Sequence, residues 1–325
     1  MRVVITGGCG FLGRRVALKL LAEGSPLGSV DELVLFDNAA SALPLPNDKR
    51  LTLVTGDIAD RETVASVIAR GTDAVFHLAA IVSGQAEADT DLGYRVNLDG
   101  TRAVLDACRV LGTVPRLVFA SSLAVYGGRL PPEIGDDTAL TPQTSYGTQK
   151  AIGELLLADY SRRGFMDGIG IRLPTVCIRP GVPNKAASGF FSNILREPLA
   201  GQEAVLPVSE DVRHWHASPR STVGFLLHAA TMDTAAAGPR RNLTMPGLSA
   251  TVGEQIAALK RVAGEKVAAR IKREPDPFIM GIVDGWPRNF EARRARALGF
   301  TTAENTFDDI IKIHIDDELG GKFVN

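Results

Sequence analysis

The chain has 325 residues and a formal net charge of -1, with 45% hydrophobic and 22% charged residues. These values are typical of a globular protein large enough for two lobes, and the balanced charge argues against nucleic acid and anionic membranes as partners. The three cysteines, Cys9, Cys108 and Cys177, lie far apart, which argues against a disulfide framework and favours a reducing cytoplasm.

The first half of the chain alternates short apolar segments with helical patterns. The predicted strands lie at 3–6, 32–37, 51–56, 73–80 and 116–122. Strands that alternate with helices predict a parallel sheet covered by helices on both faces, and unbroken apolar runs suit strands that are buried on both faces. We therefore predict an α/β, doubly wound parallel-sheet (Rossmann) domain over residues 1–174.

The first predicted strand leads directly into the glycine-rich segment TGGCGFLG at 6–13. Its glycines fit Gly-x-Gly-x-x-Gly from Gly8 and also a wider spacing from Gly7. Such glycines permit a tight turn and bring the backbone close to a pyrophosphate at the start of the next helix. The alternative is a glycine-rich turn without a ligand. The predicted pyrophosphate-binding residues are Gly7, Gly10, Phe11, Leu12 and Gly13.

Two acidic residues follow the second and third predicted strands. Asp37 is placed to accept hydrogen bonds from the adenosine ribose and to repel a 2'-phosphate, which favours NAD over NADP, although it could also cap a turn. Asp57 either caps the helix that begins at Arg61 or accepts a hydrogen bond from the adenine amino group. We include the neighbouring Asn38 and Ile58 in the predicted NAD site.

The fourth predicted strand ends in the segment HLAA at 77–80. Its small residues would form a floor for a cofactor that crosses the carboxyl ends of the strands, so Leu78, Ala79 and Ala80 join the predicted cofactor site. We interpret His77 as a structural core residue. His214 and His216 have the spacing of two ligands on a strand, but no third ligand is evident, and no metal site is predicted.

Tyr146 and Lys150 are four positions apart, so on a helix their side chains lie on one face. Ser122 ends the fifth predicted strand, at the same edge of the sheet. A lysine ammonium and a cationic nicotinamide would lower the tyrosine pKa from its ordinary value of about 10. Tyr146 would then act as a base while Ser122 holds the substrate oxygen. The alternative, a surface pair, is disfavoured by the nearby glycine loop.

These motifs together resemble the extended short-chain dehydrogenase/reductase family, which includes nucleotide-sugar epimerases and dehydratases. The resemblance extends over the whole chain through TGGCGFLG, GDI, HLAA, SSLAVYG and YGTQK. It implies that Ser122, Tyr146 and Lys150 are catalytic and that Lys150 also binds the nicotinamide ribose. It adds Asn97 and Pro174 to the cofactor site and implies a homodimer through helices near 96–111 and 144–162.

The second half of the chain departs from the nucleotide-sugar enzymes. The segment RHWHASPRS at 213–221 keeps an arginine but lacks the paired acids of those enzymes. With the segments at 79–89 and 172–201, it resembles family members that oxidise a four-carbon sugar acid with NAD. The resemblance implies oxidation of the 2-hydroxyl of a small sugar acid. We assign 175–325 mainly to a smaller substrate-binding lobe, with later segments returning to the first domain.

The carboxylate of such a substrate needs a cationic seat, and Arg213 is the first candidate because a guanidinium binds carboxylates in a bidentate fashion. Ser83 and Asn184 would add hydrogen bonds. Alternatively, Arg213 pairs with Glu210 or Asp211 at the surface. In that case the seat would be provided by Arg179 or Lys185.

Two other functions remain open at this point. A nucleotide-sugar 4-epimerase or dehydratase would keep its cofactor bound and return the hydride. A non-enzymatic regulator that senses dinucleotides could use the same fold, but the presence of Ser122, Tyr146 and Lys150 argues against it.

Overall fold

The computed structural model describes residues 1–41, 44–181 and 187–324. The strands of the first half are β1 (Arg2–Thr6), β2 (Glu32–Asp37), β3 (Leu51–Thr55), β4 (Thr72–His77) and β5 (Arg116–Ser122). The helices are α1 (Phe11–Leu21), α2 (Arg61–Val67), α3 (Ser83–Ala88), α4 (Thr90–Gly93), α5 (Gly100–Leu111) and α6 (Ser145–Arg162). A π-helical segment, Tyr94–Asp99, joins α4 to α5, and a 3-10 turn, Leu123–Val125, follows β5.

The second half contains shorter strands and more helices. Its strands are β6 (Asp167–Leu173), β7 (Thr175–Val176), β8 (Ala204–Leu206), β9 (Arg213–Ala217), β10 (Asn242–Thr244), β11 (Leu248–Thr251) and β12 (Ile271–Arg273). Its helices are α7 (Gly189–Leu199), α8 (Pro219–Thr231), α9 (Val252–Ala263), α10 (Glu265–Ala268), α11 (Pro277–Asp284), α12 (Arg293–Ala297) and α13 (Phe307–Leu319). A 3-10 turn, Thr234–Ala237, follows α8.

A 7-stranded sheet forms the centre of the molecule, in the order β10-β6-β5-β4-β1-β2-β3, and all of its neighbouring strands are parallel. Helices α1 and α8 pack on one face, and α2, α5 and α6 pack on the other. This arrangement confirms the predicted doubly wound α/β class. Strand β10 and helix α8 join it from the second half of the chain.

Side-chain alternation explains why the central strands read as unbroken apolar runs. In β1, Val3 and Ile5 pack with α1 and α8, whereas Val4 between them packs with α2 and α5. All three side chains are fully buried. Strands covered on both faces need apolar side chains at every position, and β-branched residues suit that environment.

Strand order reverses between β1 and β4, because the chain proceeds outward to β2 and β3 and then returns to the other side of β1. The carboxyl ends of β1 and β4 therefore open into a crevice between diverging connections. In open α/β sheets this crevice is where ligands bind.

The remaining elements form a second core, which we call the C-terminal lobe. Helices α7, α9 and α13 pack with two small sheets, β11-β9-β7 and β12-β8. The fully buried side chains of Phe191, Leu259 and Ile311 come from the three helices. No helix in the described ranges combines the length and the apolarity that crossing a bilayer requires.

Candidate active site

Two glycines make the loop after β1 compact. Gly7 has a left-handed φ of 69°, and a Cβ atom there would lie 2.8 Å from the amide nitrogen of Ala79. A Cβ atom on Gly13 would lie 2.4 Å from the carbonyl oxygen of Gly7. Since both residues lack a side chain, the start of α1 can pack directly on the loop, and the loop can pack on the chain after β4.

The N-terminus of α1 fits a pyrophosphate. Gly10 precedes the helix, and no side chain caps its first turn. A Cβ atom on Gly10 would meet only the carbonyl oxygen of Gly7 within 4 Å, at 3.3 Å, so space remains above the backbone. The backbone N–H groups of the first turn, from Phe11, Leu12 and Gly13, have no partner within the helix and lie at its positive end.

Asp37 ends β2 beside this loop, as the sequence predicts. Its Oδ2 accepts a hydrogen bond from the N–H of Cys9 at 2.9 Å, and its Oδ1 accepts one from the N–H of Asn38 at 2.8 Å. The carboxylate is thus fixed next to the glycine loop and keeps lone pairs for ribose hydroxyls. These features fit NAD. The exposed Asn38 lies beside Asp37 at the edge of the cleft.

Asp57 does not cap α2. The cap is Asp60, whose Oδ1 accepts from the N–H groups of Glu62 and Thr63, so the capping interpretation of Asp57 is wrong. Asp57 accepts from the N–H of Ala59 at 2.9 Å and forms an ion pair with Arg95. The Ala59 hydrogen bond and then Arg95 lower the pKa of Asp57.

Recognition of the adenine amino group by Asp57 stays a prediction. The neighbouring Ile58 is buried and contacts Gly100, at the start of α5.

The floor of the cleft follows β4. The N–H of Ala79 donates to Oγ1 of Thr6 at 3.3 Å, next to Leu78 and Ala80. Two residues further along, the backbone of Ile81 is held by Asn97, whose Oδ1 accepts from the Ile81 N–H at 2.9 Å while its Nδ2 donates to the Ile81 carbonyl at 3.3 Å. The same Nδ2 donates to Oε1 of Gln149 on α6 at 2.8 Å. Asn97 therefore connects the backbone after β4, at the floor of the cleft, to helix α6.

Sequence reasoning missed Gln149, which is fully buried. It also missed the π-helical turn, Tyr94–Asp99, from which Asn97 reaches the floor. Such turns are frequent at functional sites. No local sequence pattern marks either feature.

The side chains predicted to be catalytic lie close together because α6 begins directly against the turn that follows β5. A Cβ atom on Gly147 would lie 2.1 Å from the carbonyl oxygen of Ala124, so only glycine permits the contact. Thr144 caps α6 by accepting from the N–H of Gly147 at 3.0 Å. Ser122 lies at the end of β5, near enough to Tyr146 for its hydroxyl to lower the pKa of the tyrosine.

Lys150 lies one turn further along α6 and is buried. Its Nζ donates to the carbonyl oxygen of Ala120 at 2.8 Å and lies 5.7 Å from the ring centroid of Tyr146. Burial lowers the pKa of Lys150 to about 8, against an opposing effect of Glu154. The structure thus brings Ser122, Tyr146 and Lys150 together at the carboxyl end of β5.

The pKa of Tyr146 is raised by burial, and two neighbours oppose the increase. These are the hydroxyl of Ser122 and the positive charge of Arg179. The sequence predicts that Lys150 and the nicotinamide lower this pKa; in the structure the positive charge of Arg179 lowers it, and Lys150 contacts the tyrosine ring.

The side chain predicted to seat a carboxylate, Arg213, already has partners. Its Nη2 donates to Oε1 of Glu254 at 3.1 Å, and its Nη1 donates to the carbonyl oxygen of Ser249 at 3.2 Å. Neither Glu210 nor Asp211, the acids suggested by the sequence, pairs with it. Ser83 begins α3 and is partly buried. Contacts of Arg213 and Ser83 with substrate stay predictions.

The two other residues suggested for the substrate, Asn184 and Lys185, lie outside the described residues. Pro174 is buried between β6 and β7, one residue beyond Leu173, which pairs with Ser122. This position places Pro174 at the same edge of the sheet as the catalytic serine.

The three histidines considered in the sequence, His77, His214 and His216, have structural partners. His77 is buried between the hydroxyls of Thr6 and Thr101, at 2.7 and 2.9 Å, and burial lowers its pKa to about 3. His214 contacts the hydroxyl of Thr175 and the carbonyl of Pro287, both at 2.8 Å. His216 is also fully buried, with Nε2 3.0 Å from the side-chain amide nitrogen of Gln255. Within the described part of the chain, no group of three or more His, Cys, Asp or Glu side chains is arranged to hold a metal ion.

Comparison with known proteins gives full-length matches. The sequence profile of the NAD dependent epimerase/dehydratase family matches residues 3–218. The D-erythronate dehydrogenase of Cupriavidus necator is 50% identical over 323 residues, 98% of each chain. The D-erythronate dehydrogenase of Haemophilus influenzae is 46% identical over 319 residues, 98% of this chain and 100% of the relative.

A solved structure described as a nucleoside-diphosphate-sugar epimerase from Agrobacterium tumefaciens is 57% identical, with a TM-score of 0.93 and coverage of 99% of this chain and 95% of that one. The L-threonine dehydrogenase of Phytophthora infestans shares the fold, with a TM-score of 0.86 at 22% identity, over 99% of this chain and 100% of that chain.

Proposed function

Because the chain belongs to the NAD dependent epimerase/dehydratase family, we propose that it oxidises the 2-hydroxyl of D-erythronate with NAD to 2-dehydro-D-erythronate and NADH. The chain is a dehydrogenase, as its relatives at 50% and 46% identity are over nearly their whole length. This match over nearly the whole length of both relatives is the observation that supports the choice of substrate, since both relatives are named for D-erythronate.

Bound NAD would supply the hydride acceptor in this reaction. The glycine loop and the first turn of α1 hold its pyrophosphate, and Asp37 holds the adenosine ribose. Lys150, on α6, would bind the nicotinamide ribose. Its ammonium is fixed by the Ala120 carbonyl, so it is oriented before the cofactor arrives.

Tyr146 is the proposed general base. The hydroxyl proton of the substrate moves to the Tyr146 oxygen as the C2–H bond breaks and its electron pair leaves with the hydride. Ser122, whose hydroxyl lies near Tyr146 and lowers its pKa, holds the same substrate oxygen and stabilises the charge that develops on it. The positive charge of Arg179 lowers the tyrosine pKa and so favours the basic form.

A second candidate is supported by one observation, the name of the Agrobacterium structure, which is 57% identical to this chain. A nucleoside-diphosphate-sugar epimerase would use the same base but would keep its cofactor and return the hydride to the substrate. It would therefore produce no net NADH. A non-enzymatic regulator is excluded because the chain is a dehydrogenase.

The test is NADH formation across a panel of four- to six-carbon aldonic acids, with UDP-glucose assayed in parallel for epimerisation. The proposal predicts the highest kcat/KM with D-erythronate and one NADH for each 2-oxo acid formed. Epimerised UDP-glucose without NADH, and no oxidation of any acid, would favour the second candidate.

We further propose that the enzyme is a cytoplasmic homodimer that pairs through α5 and α6. These adjacent helices expose Val110 and Leu155, which are 79% and 69% accessible. A second copy would cover such apolar side chains. Sedimentation of the wild type should give twice the monomer mass, and Leu155→Arg should give monomers. A monomeric wild type would refute the pairing.

A further inference from the structure

Arg179 lies beside the catalytic tyrosine, in a segment that is fixed from both sides. It follows β7, and its own N–H donates to Oγ of Ser192 at 3.0 Å. Its carbonyl oxygen accepts from Nη1 of Arg196 at 2.8 Å. Both partners belong to α7, so the backbone of Arg179 is attached to the C-terminal lobe. Leu173, six residues before Arg179, pairs with Ser122, so this part of the chain lies at the carboxyl end of β5. The positive charge of Arg179 opposes the burial that raises the pKa of Tyr146.

The guanidinium of Arg179 has a neutral partner among the described residues. Its Nη2 donates to Oγ of Ser188 at 2.6 Å, and none of the described carboxylates lies within ion-pair distance of it. Arg172, seven residues earlier, is by contrast a structural arginine whose guanidinium has a carboxylate partner. Its Nε and Nη2 both donate to the carboxylate of Glu154, at distances between 2.7 and 3.1 Å. A partly buried cation such as Arg179 without an anion is costly unless a ligand supplies the anion.

The chemistry of a 2-hydroxy acid restricts where its carboxylate can be held. The carboxylate carbon is bonded directly to C2, so when the 2-hydroxyl reaches Tyr146 the carboxylate must lie within a few ångströms of the same tyrosine. A seat for this group therefore has to be a neighbour of Tyr146. Arg179 is the candidate because it follows β7 at the sheet edge where Ser122 lies and its charge acts on Tyr146, whereas Arg213 is engaged by Glu254 and Ser249.

We propose that Arg179 seats the carboxylate of the substrate and thereby selects 2-hydroxy acids over neutral polyols. This inference rests on the proposed function, and it names the residue that recognises the acid. Ser188 orients the guanidinium of Arg179 by accepting one hydrogen bond from Nη2. The other N–H groups of the guanidinium are left to donate to the two carboxylate oxygens of the substrate.

The experiment compares Arg179→Gln and Arg179→Lys with the matched control Arg213→Gln. The primary readout is the dissociation constant of D-erythronate from the enzyme–NADH complex, followed by NADH fluorescence, which needs no turnover. We expect Arg179→Gln to weaken D-erythronate binding by about 100-fold, because a charge-assisted bidentate contact is lost. Arg179→Lys should weaken it by about tenfold, since it keeps the charge but loses the fork. Arg213→Gln should change it less than about threefold.

Two further readouts separate recognition from a merely structural role. The NADH dissociation constant and the thermal unfolding temperature should stay close to wild type in Arg179→Lys. In Arg179→Gln the loss of the neighbouring charge should move the acidic limb of the kcat/KM profile to higher pH, because the Tyr146 pKa rises. If Arg179→Gln fails to fold, the affinity of Arg179→Lys for D-erythronate decides whether Arg179 binds the carboxylate.

The possible failures can be told apart. If the wild type oxidises D-erythronate but both Arg179 variants bind it within threefold of wild type, the carboxylate assignment is overturned while the proposed function stands. A larger loss in Arg213→Gln than in Arg179→Gln also overturns it. If the wild type neither binds nor oxidises any aldonic acid, the proposed function fails and the assignment fails with it.

Discussion

The two sides of the cleft are built in different ways. On the cofactor side, backbone atoms and glycines form the site: Gly7 and Gly13 allow close packing, and the first turn of α1 presents free N–H groups. On the substrate side, side chains from distant segments meet, with Tyr146 on α6 and Arg179 after β7. The backbone site fits a pyrophosphate, whereas the proposed selection of the alcohol depends on side chains.

The largest expected effect comes from the substrate side. Tyr146→Phe should lower kcat by roughly 1,000-fold, because the proton acceptor is lost while the ring is retained. The NAD dissociation constant should stay within about threefold of wild type, since the glycine loop is untouched. Steady-state kinetics and a fluorescence titration measure the two quantities. Retention of more than a tenth of wild-type kcat would refute Tyr146 as the base.

Local sequence patterns predicted the secondary-structure positions of several candidate residues. Asp37 at the end of β2 and the Tyr146–Lys150 spacing on α6 depend on neighbours in the chain, and the structure has both elements where the patterns placed them. Asp57 and Asp60 are three residues apart, and either could cap α2, so sequence alone left the capping role of Asp57 open.

The substrate side was harder to predict because its contacts join distant segments. Arg213 and Glu254 are 41 positions apart, and no local pattern joins them. The interaction of Arg179 with Tyr146 likewise depends on how the C-terminal lobe docks. Strand β10 and helix α8, which complete the central sheet, also come from a region without clear periodicity.

Arg172, which is paired with a carboxylate, can be compared with Arg179, which is not. Glu154→Ala should lower the free energy of unfolding by about 3 kcal/mol, because it leaves Arg172 buried without its carboxylate. Arg179→Gln should leave the free energy of unfolding unchanged or slightly higher, since it removes an unpaired charge. Chemical denaturation of both variants measures the difference. Equal destabilisation would mean that Arg179 is a structural residue like Arg172.

The cofactor side should respond to added volume. A Cβ atom on Gly13 would lie 2.4 Å from the Gly7 carbonyl oxygen, so Gly13→Ala must displace the loop and should raise the NAD dissociation constant about 20-fold. The matched control is Gly224→Ala on α8, where a Cβ atom would meet nothing within 4 Å. NAD binding by the control should equal wild type. Normal NAD affinity in Gly13→Ala would contradict the proposed pyrophosphate site.

The smallest predicted effect concerns the choice of dinucleotide. Asp37→Ala should narrow the preference for NAD over NADP by about tenfold, because the carboxylate binds the ribose hydroxyls and repels a 2'-phosphate. The ratio of kcat/KM values for the two cofactors is the measurement, and the wild type should already favour NAD. An unchanged ratio in the variant would remove Asp37 from the site.

The central claim is that hydride leaves C2 of a sugar acid held beside Tyr146. The most direct measurement uses D-erythronate deuterated at C2, with mass analysis of the reduced cofactor. Our account predicts that every NADH formed carries the deuterium and that the 2-oxo acid has lost it. Unlabelled NADH, or deuterium returned to a substrate epimerised at C2 without net reduction of NAD, would contradict it.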